Sequence, residues 1–151
     1  MSHKIAYRNL PQLFLKARAN LMAHFKPILG HFGLTDQQWR ILRVLDEYGS
    51  LEPRELCDLC QISSPSMAGV LKRMEELDMI GRSAIEGDQR RVLIGLSEAG
   101  DALMTEMAPL IDLQYKHIEQ TFGIDAMNEL VAVLERFNAV SEEAVEHIVL
   151  K

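Results

Sequence analysis

Residues 53–96 constrain this chain more than any other segment, because several differently patterned pieces follow one another there with almost no connecting length. Pro53 suits the first turn of a short helix, where its missing N–H costs nothing. Leu56 and Leu59 supply that helix's buried side, and it ends near Cys60. Gln61 and Ile62 predict a tight turn, and Ser63 stands as the N-cap of a second helix. That helix runs to about Leu77 and buries Met67, Val70, Leu71 and Met74. Two helices so closely joined form a helix-turn-helix. Two short β-prone runs, 80–84 and 92–96, then flank the polar stretch Ile85-Glu86-Gly87-Asp88-Gln89-Arg90-Arg91, the pattern of a hairpin.

The flanks are helical. Leu10, Leu13, Phe14, Ala17, Leu21, Phe25 and Ile28 recur at steps of three and four and predict one amphipathic helix, kinked near its end by Pro27 and broken between Gly30 and Gly33. A second opens at Thr35, where Gln38 completes a capping box, turns Trp39, Leu42 and Leu45 inward and stops at Gly49. Downstream, Ser97 caps a helix carrying Leu103, Met107, Ile111, Ile118 and Phe122 on one face, bent at Pro109 and ended by Gly123. The last helix carries Leu130, Leu134, Phe137, Val145 and Ile148. The expected fold is therefore mainly α with a small β-hairpin wing (α+β): a winged helix-turn-helix over residues 35–96, with the helices of 1–34 and 97–151 forming a dimerisation region. Those flanking helices are too long and too apolar to fold back on so small a core, and exposed apolar stripes of that length imply a symmetric partner.

Composition bounds the setting. The chain has 151 residues, 48% apolar and 25% charged, which fits one globular domain. Two cysteines exclude a disulfide framework. No run approaches the ~20 apolar residues of a spanning helix, and the opening MSHKIAYRNL lacks the apolar core of a secretory signal; a cytoplasmic protein is expected. The net charge of −6 is uneven, +4 over residues 1–49, −2 over 50–96 and −8 over 97–151. An acidic chain is a poor phosphate binder unless the acidic third faces away from the nucleic acid. A helix-turn-helix followed directly by a hairpin nevertheless points to duplex DNA, with one helix in the major groove and the wing on the adjacent backbone or minor groove.

The stretch Ile62-Ser63-Ser64-Pro65-Ser66-Met67 through Leu71-Lys72-Arg73-Met74-Glu75, the wing signature Asp88-Gln89-Arg90-Arg91, and Leu96-Ser97-Glu98-Ala99-Gly100 opening the next helix resemble the MarR (multiple-antibiotic-resistance regulator) family of winged-helix transcription factors. The order of elements matches over essentially the whole chain. Within the family, Phe25-Lys26-Pro27-Ile28 and Leu34-Thr35-Asp36-Gln37-Gln38-Trp39-Arg40-Ile41 are similar to the subgroup that represses homoprotocatechuate (4-hydroxyphenylacetate) degradation operons. Two positions depart from the family pattern. Asp78 stands where glycine is usual after the recognition helix, a turn that Asp tolerates. Gly69 stands where a basic or polar residue is common, which removes one possible base contact.

The DNA-binding candidates are Ser64, Pro65, Ser66, Gly69, Arg73, Asp88, Arg90 and Arg91. Small side chains let a helix sit deep in the groove, hydroxyls meet bases or phosphates, and Arg73 suits a phosphate. Arg90, at the tip of the wing, suits the narrow, electronegative minor groove, and the resemblance implies the same position; the plain alternative is a solvated surface arginine. Asp88 repels phosphate, so it reads as an ion-pair partner that pre-orders an arginine, or as an ordinary turn aspartate. Ser63 reads as a cap.

Arg18, Met22, Trp39, Arg40 and Arg43 are the candidate ligand-binding residues: guanidinium groups for a carboxylate, apolar and thioether surface for an aromatic ring. The resemblance implies phenolic and aromatic acid effectors. Trp39 equally suits the core, and Arg40 and Arg43 equally suit a surface or a phosphate. Cys57 and Cys60 form a Cys-x-x-Cys, yet no second pair or nearby histidine completes a zinc site, and small core cysteines are the simpler reading. Peroxide-sensing relatives carry their cysteine near the start of the first helix, and zinc-sensing relatives use a histidine cluster that His117 alone does not reproduce. No metal, cofactor or catalytic constellation is expected.

The resulting expectation is a ligand-responsive repressor of aromatic-acid catabolism genes. It binds a palindromic operator as a homodimer and is released by a small phenolic or aromatic carboxylate. The alternative is a dimeric small-molecule-binding or interaction module without DNA binding, which the acidic balance favours.

Overall fold

The computed structural model of the chain describes residues 3–151; the first two residues of the expected 1–34 span and of the opening decapeptide lie outside it. Contacts divide the chain into two compact units, one reaching to Ile111 and the other Asp112–Lys151.

The first unit begins with α1 (Leu10–Ala23) and α2 (Lys26–His31). The sequence predicts one kinked helix here, and the structure has two. Pro27 falls in the first turn of α2, where a missing N–H breaks no ladder. The turn between them closes through His24 N–H to the Leu21 carbonyl (3.2 Å) and Phe25 N–H to that of Met22 (3.0 Å). Phe25 and Leu29 are buried beyond the break, whereas Leu10, Leu13, Phe14 and Leu15 of α1 are exposed.

Helix α3 (Asp36–Tyr48) opens on the expected capping box. Thr35 Oγ1 accepts from Gln38 N–H (3.2 Å) and Gln38 Oε1 accepts from Thr35 N–H (3.1 Å). It ends at Gly49, whose φ of +78° requires glycine. Helix α4 (Pro53–Cys60) has its own capping box between Glu52 and Glu55. Leu56 and Cys60, one turn apart, define its buried face; Leu59 falls outside that face and is exposed, contrary to expectation. Gln61 then takes the left-handed conformation (φ +53°) that re-aims the chain into α5 (Ser64–Glu76). Ser63 occupies the N-cap position, but its hydroxyl donates to Ser66 Oγ (3.1 Å) instead of receiving a backbone N–H. Met67, Leu71 and Met74 are buried as expected, and Val70 is half-buried.

Strands β1 (Ile80–Ile85) and β2 (Asp88–Leu96) form the antiparallel hairpin. Sequence places residues 88–91 in the loop, whereas the structure includes them in β2, so the turn itself is only Glu86 and Gly87. A third chain segment joins the sheet through a bridge between Leu51 and Ile94, with reciprocal N–H···O bonds of 2.9 and 2.7 Å. Ile41, Leu42, Leu56, Met67, Leu71, Met74, Ile94 and Met107 form the fully buried core, so one core serves α3, α4, α5, the hairpin and the start of α6 (Glu98–Phe122). Burying each such side chain contributes about 1.5–3 kcal/mol.

The entry into α6 explains the Leu-Ser-x-x-Gly run. Ser97 Oγ accepts from Gly100 N–H (3.0 Å) and donates to the Asp78 carbonyl (2.6 Å), while Ser97 N–H reaches the Met79 carbonyl (3.1 Å). A Cβ on Gly100 would lie 2.0 Å from that Met79 oxygen. Asp78, at φ +57°, holds the left-handed turn.

In the second unit, α6 ends at Gly123 (φ +91°) and α7 (Ile124–Ala139) follows. The expected last helix is shorter than its apolar spacing predicts. Val145 and Ile148 lie beyond it, because Ser141 caps a new 3-10 turn, Glu142–Ala144, by accepting from Glu143 N–H (3.2 Å). Phe122, Leu130 and Phe137 are exposed.

Candidate nucleic-acid interface and adjoining cavity

On α5, the helix face opposite the core presents Ser64, Pro65, Ser66 and Gly69, all exposed. Their side chains are short, and nothing lies within 4 Å of a Cβ built on Gly69. A duplex can therefore approach the helix backbone closely along this face. Arg73, a turn further on, is exposed and pairs with Glu76 (3.3 Å) on the same helix.

The wing arginines differ. Ala84 pairs with Val92 while Ile85 pairs with Asp88, so Gln89, Arg90 and Arg91 bulge out of β2. Asp88 Oδ1 accepts the Arg90 backbone N–H at 3.0 Å. The expected ion pair is absent: among the described residues Asp88 makes no salt bridge, and it shapes the bulge through the backbone instead. Arg90 is thus displaced from the tip itself to the returning strand, exposed and without an ion pair among the described residues. Arg91 is held by Glu52 at the head of α4. Hydrogen bonding from Arg91 keeps the Glu52 carboxyl below its ordinary range, against slight desolvation, and the same bond raises the guanidinium. Arg82 of β1 reaches Glu75 of α5. These two pairs tie the wing to the helix-turn-helix. Each joins two different elements, 7 and 39 positions apart, and no helix or strand periodicity announces either pair.

Beside α3 lies a cavity of about 420 Å³ walled by Arg18, Met22, Lys26, Leu29, Leu34 and Asp36, among others. Of the candidate ligand residues, Arg18 and Met22 line it. Trp39 is buried in α3, Arg43 is exposed, and neither is a wall residue. Arg40 points to Asp36, donating from Nε (3.0 Å) and Nη2 (2.8 Å), and its Nη1 reaches the carbonyls of Cys60 (3.0 Å) and Gln61 (3.3 Å). Arg18 Nη2 holds the other Asp36 oxygen at 2.9 Å. Burial works against ionisation of Asp36, but hydrogen bonds from Arg18 and Arg40 outweigh it and hold the carboxyl below its usual range. Sequence places Lys26 and Asp36 in the subgroup-like stretches but not among the ligand candidates, and the fold brings both to the cavity.

Cys60 is buried and donates from Sγ to the Arg40 carbonyl (3.7 Å), and burial pushes its thiol up to about 11. Cys57 is half-buried, 3.8 Å from Ser64 Oγ.

A short helix, a left-handed turn, a small-faced second helix and a tethered hairpin define a winged helix-turn-helix protein. The MarR family model matches residues 32–91. The chain is 39% identical over 113 residues to the transcriptional regulator FarR of Neisseria gonorrhoeae, covering 75% of this chain and 77% of that protein. It is 37% identical over 134 residues to the homoprotocatechuate degradative operon repressor of Escherichia coli, covering 89% and 90%. The solved structure of NadR in complex with 4-hydroxyphenylacetate superposes with a TM-score of 0.83 at 33% identity, covering 93% of this chain and all of that one. The chain belongs to the MarR family, and it is a DNA-binding transcriptional regulator.

Proposed function

We propose that this protein represses genes of aromatic-acid catabolism in the cytoplasm, binding a palindromic operator as a homodimer and leaving it when a phenolic or aromatic carboxylate binds. The observation that carries the DNA side is the exposed small-residue face of α5 beside an Arg90 that no carboxylate among the described residues claims. In this reading Ser64, Pro65, Ser66 and Gly69 meet the major groove, Arg73 and Arg91 the phosphates, and Arg90 the minor groove, with Asp88 ordering the bulge. Residues 35–96 form the reading head. The exposed apolar stripes of α1 and α7 belong to the dimerisation region. The protein acts by binding and not as an enzyme, like the regulators it is similar to.

The ligand side rests on the cavity. Lys26 and Arg18 supply cations, and Met22, Leu29 and Leu34 supply apolar wall, which suits a carboxylate carrying a ring. Relatives are a homoprotocatechuate operon repressor and a protein crystallised with 4-hydroxyphenylacetate. The dimer samples different separations of its two heads, and a ligand favouring the separation that misfits DNA lowers operator affinity. Coupling of the usual size needs a preference of about 5- to 150-fold. Fluorescence-anisotropy titration of DNA from upstream of the gene, with and without 4-hydroxyphenylacetate, tests both halves. Saturable binding weakened by the acid is expected; binding to no upstream fragment in dilute buffer removes the repressor reading and leaves a DNA-free binding module, which the acidic balance favours.

A further inference from the structure

One hydrogen-bonded chain leads from the cavity to the turn that aims the recognition helix. Arg18 of α1 holds Asp36 Oδ1, and Asp36 Oδ2 takes both Nε and Nη2 of Arg40. The remaining arm of Arg40, Nη1, donates to the carbonyls of Cys60 and Gln61. The Cys60 thiol returns to the Arg40 carbonyl. Gln61 is the left-handed residue between α4 and α5, two positions before the N-cap Ser63. A guanidinium is planar with its donors in a fixed fork, so Arg40 cannot follow a shift of Asp36 without moving its grip on the turn.

We propose that Asp36 is the coupling residue of this regulator: an anion entering the cavity takes Arg18 from it, and the released carboxylate turns Arg40 and slackens the Cys60–Gln61 turn that positions α5. The inference rests on reading the cavity as the effector site. It assigns Arg18 two alternative partners, Asp36 without ligand and the ligand carboxylate with it. Asp36 thereby acts as a built-in competitor, and it lowers ligand affinity as it transmits ligand binding. Reciprocity follows: operator DNA, by favouring the tight turn, weakens anion binding by the same factor.

The test uses the full-length protein and two independent readouts. Amide hydrogen exchange across residues 60–64 reads the chain without ligand or DNA. Arg18→Gln, on a different helix from the turn, is expected to speed exchange there about two- to fivefold. Arg18→Lys restores most of the protection, and Lys16→Gln on the same helix changes nothing. Protection unaltered in Arg18→Gln but lost in Arg40→Gln overturns the proposal, because Arg40 then acts alone. The second readout is Asp36→Asn. It is expected to bind 4-hydroxyphenylacetate several-fold more tightly than wild type while the acid no longer changes its operator affinity; weaker acid binding with coupling intact overturns the proposal. A wild-type protein indifferent to the acid refutes the effector reading instead, and the exchange comparison still decides whether the chain of contacts exists.

Discussion

Arg90 and Arg91 are neighbours in sequence but not in what holds them. Arg91 is tethered to Glu52, whereas among the described residues Arg90 is held through its backbone N–H, by Asp88, and makes no ion pair. Arg90→Ala is therefore expected to weaken operator binding at least about fivefold and more than Arg91→Ala does, in the same anisotropy titration and with the protein still folded. Asp88→Asn keeps an acceptor oxygen for the Arg90 N–H and should retain affinity, while Asp88→Ala should lose it; equal loss in both would show that the negative charge matters after all. Asp36 gives a pH signature. Its folded-state pKa lies below the ordinary 3.8, so its ionised form stabilises the fold above that value, and the contribution is lost as pH falls through the folded-state pKa. The stability difference between wild type and Asp36→Asn should be constant near neutrality and shrink below about pH 4 in acid-unfolding curves. At this scale sequence revealed the residue types and not their partners. Glu52 and Arg91 stand 39 positions apart, and Arg40 is 20 from Cys60, separations that no periodicity encodes.

Elements were legible where their ends carry local chemistry. The Thr35–Gln38 capping box, the glycines closing α3 and α6, and the Gln61 turn all lie where sequence predicts them. Ends decided by competition were not. Pro27 begins a helix where the apolar spacing continues one, Ser141 diverts the chain out of α7, and Asp88 is drawn into β2 by pairing across the hairpin. Two substitutions probe the junction into α6. Gly100→Ala forces a methyl against the Met79 carbonyl and should cost about 1–3 kcal/mol in chemical denaturation, as overpacking does. Asp78→Ala should cost about 1 kcal/mol because alanine resists the left-handed conformation, whereas Asp78→Gly should cost nothing. A stable Gly100→Ala would mean that the Met79 carbonyl and the start of α6 separate freely.

Across the whole molecule, the charge profile and the exposed apolar residues point the same way. The winged helix-turn-helix carries exposed cations on α5 and the wing, while Leu10, Leu13, Leu130 and Phe137 remain exposed on α1 and α7, which bury no residue within one chain among those described. The winged helix was readable because its pieces are short and adjacent. The cavity was half readable, since Arg18 and Met22 share a helix whereas Lys26 and Asp36 arrive from others. Repression of this kind requires two reading heads gripping one duplex. Sedimentation equilibrium of the protein with a duplex from its upstream region measures this directly. A mass of two chains per duplex is predicted, with the complex dissolving as salt rises and as 4-hydroxyphenylacetate is added. A single chain on the duplex, or none, would contradict it.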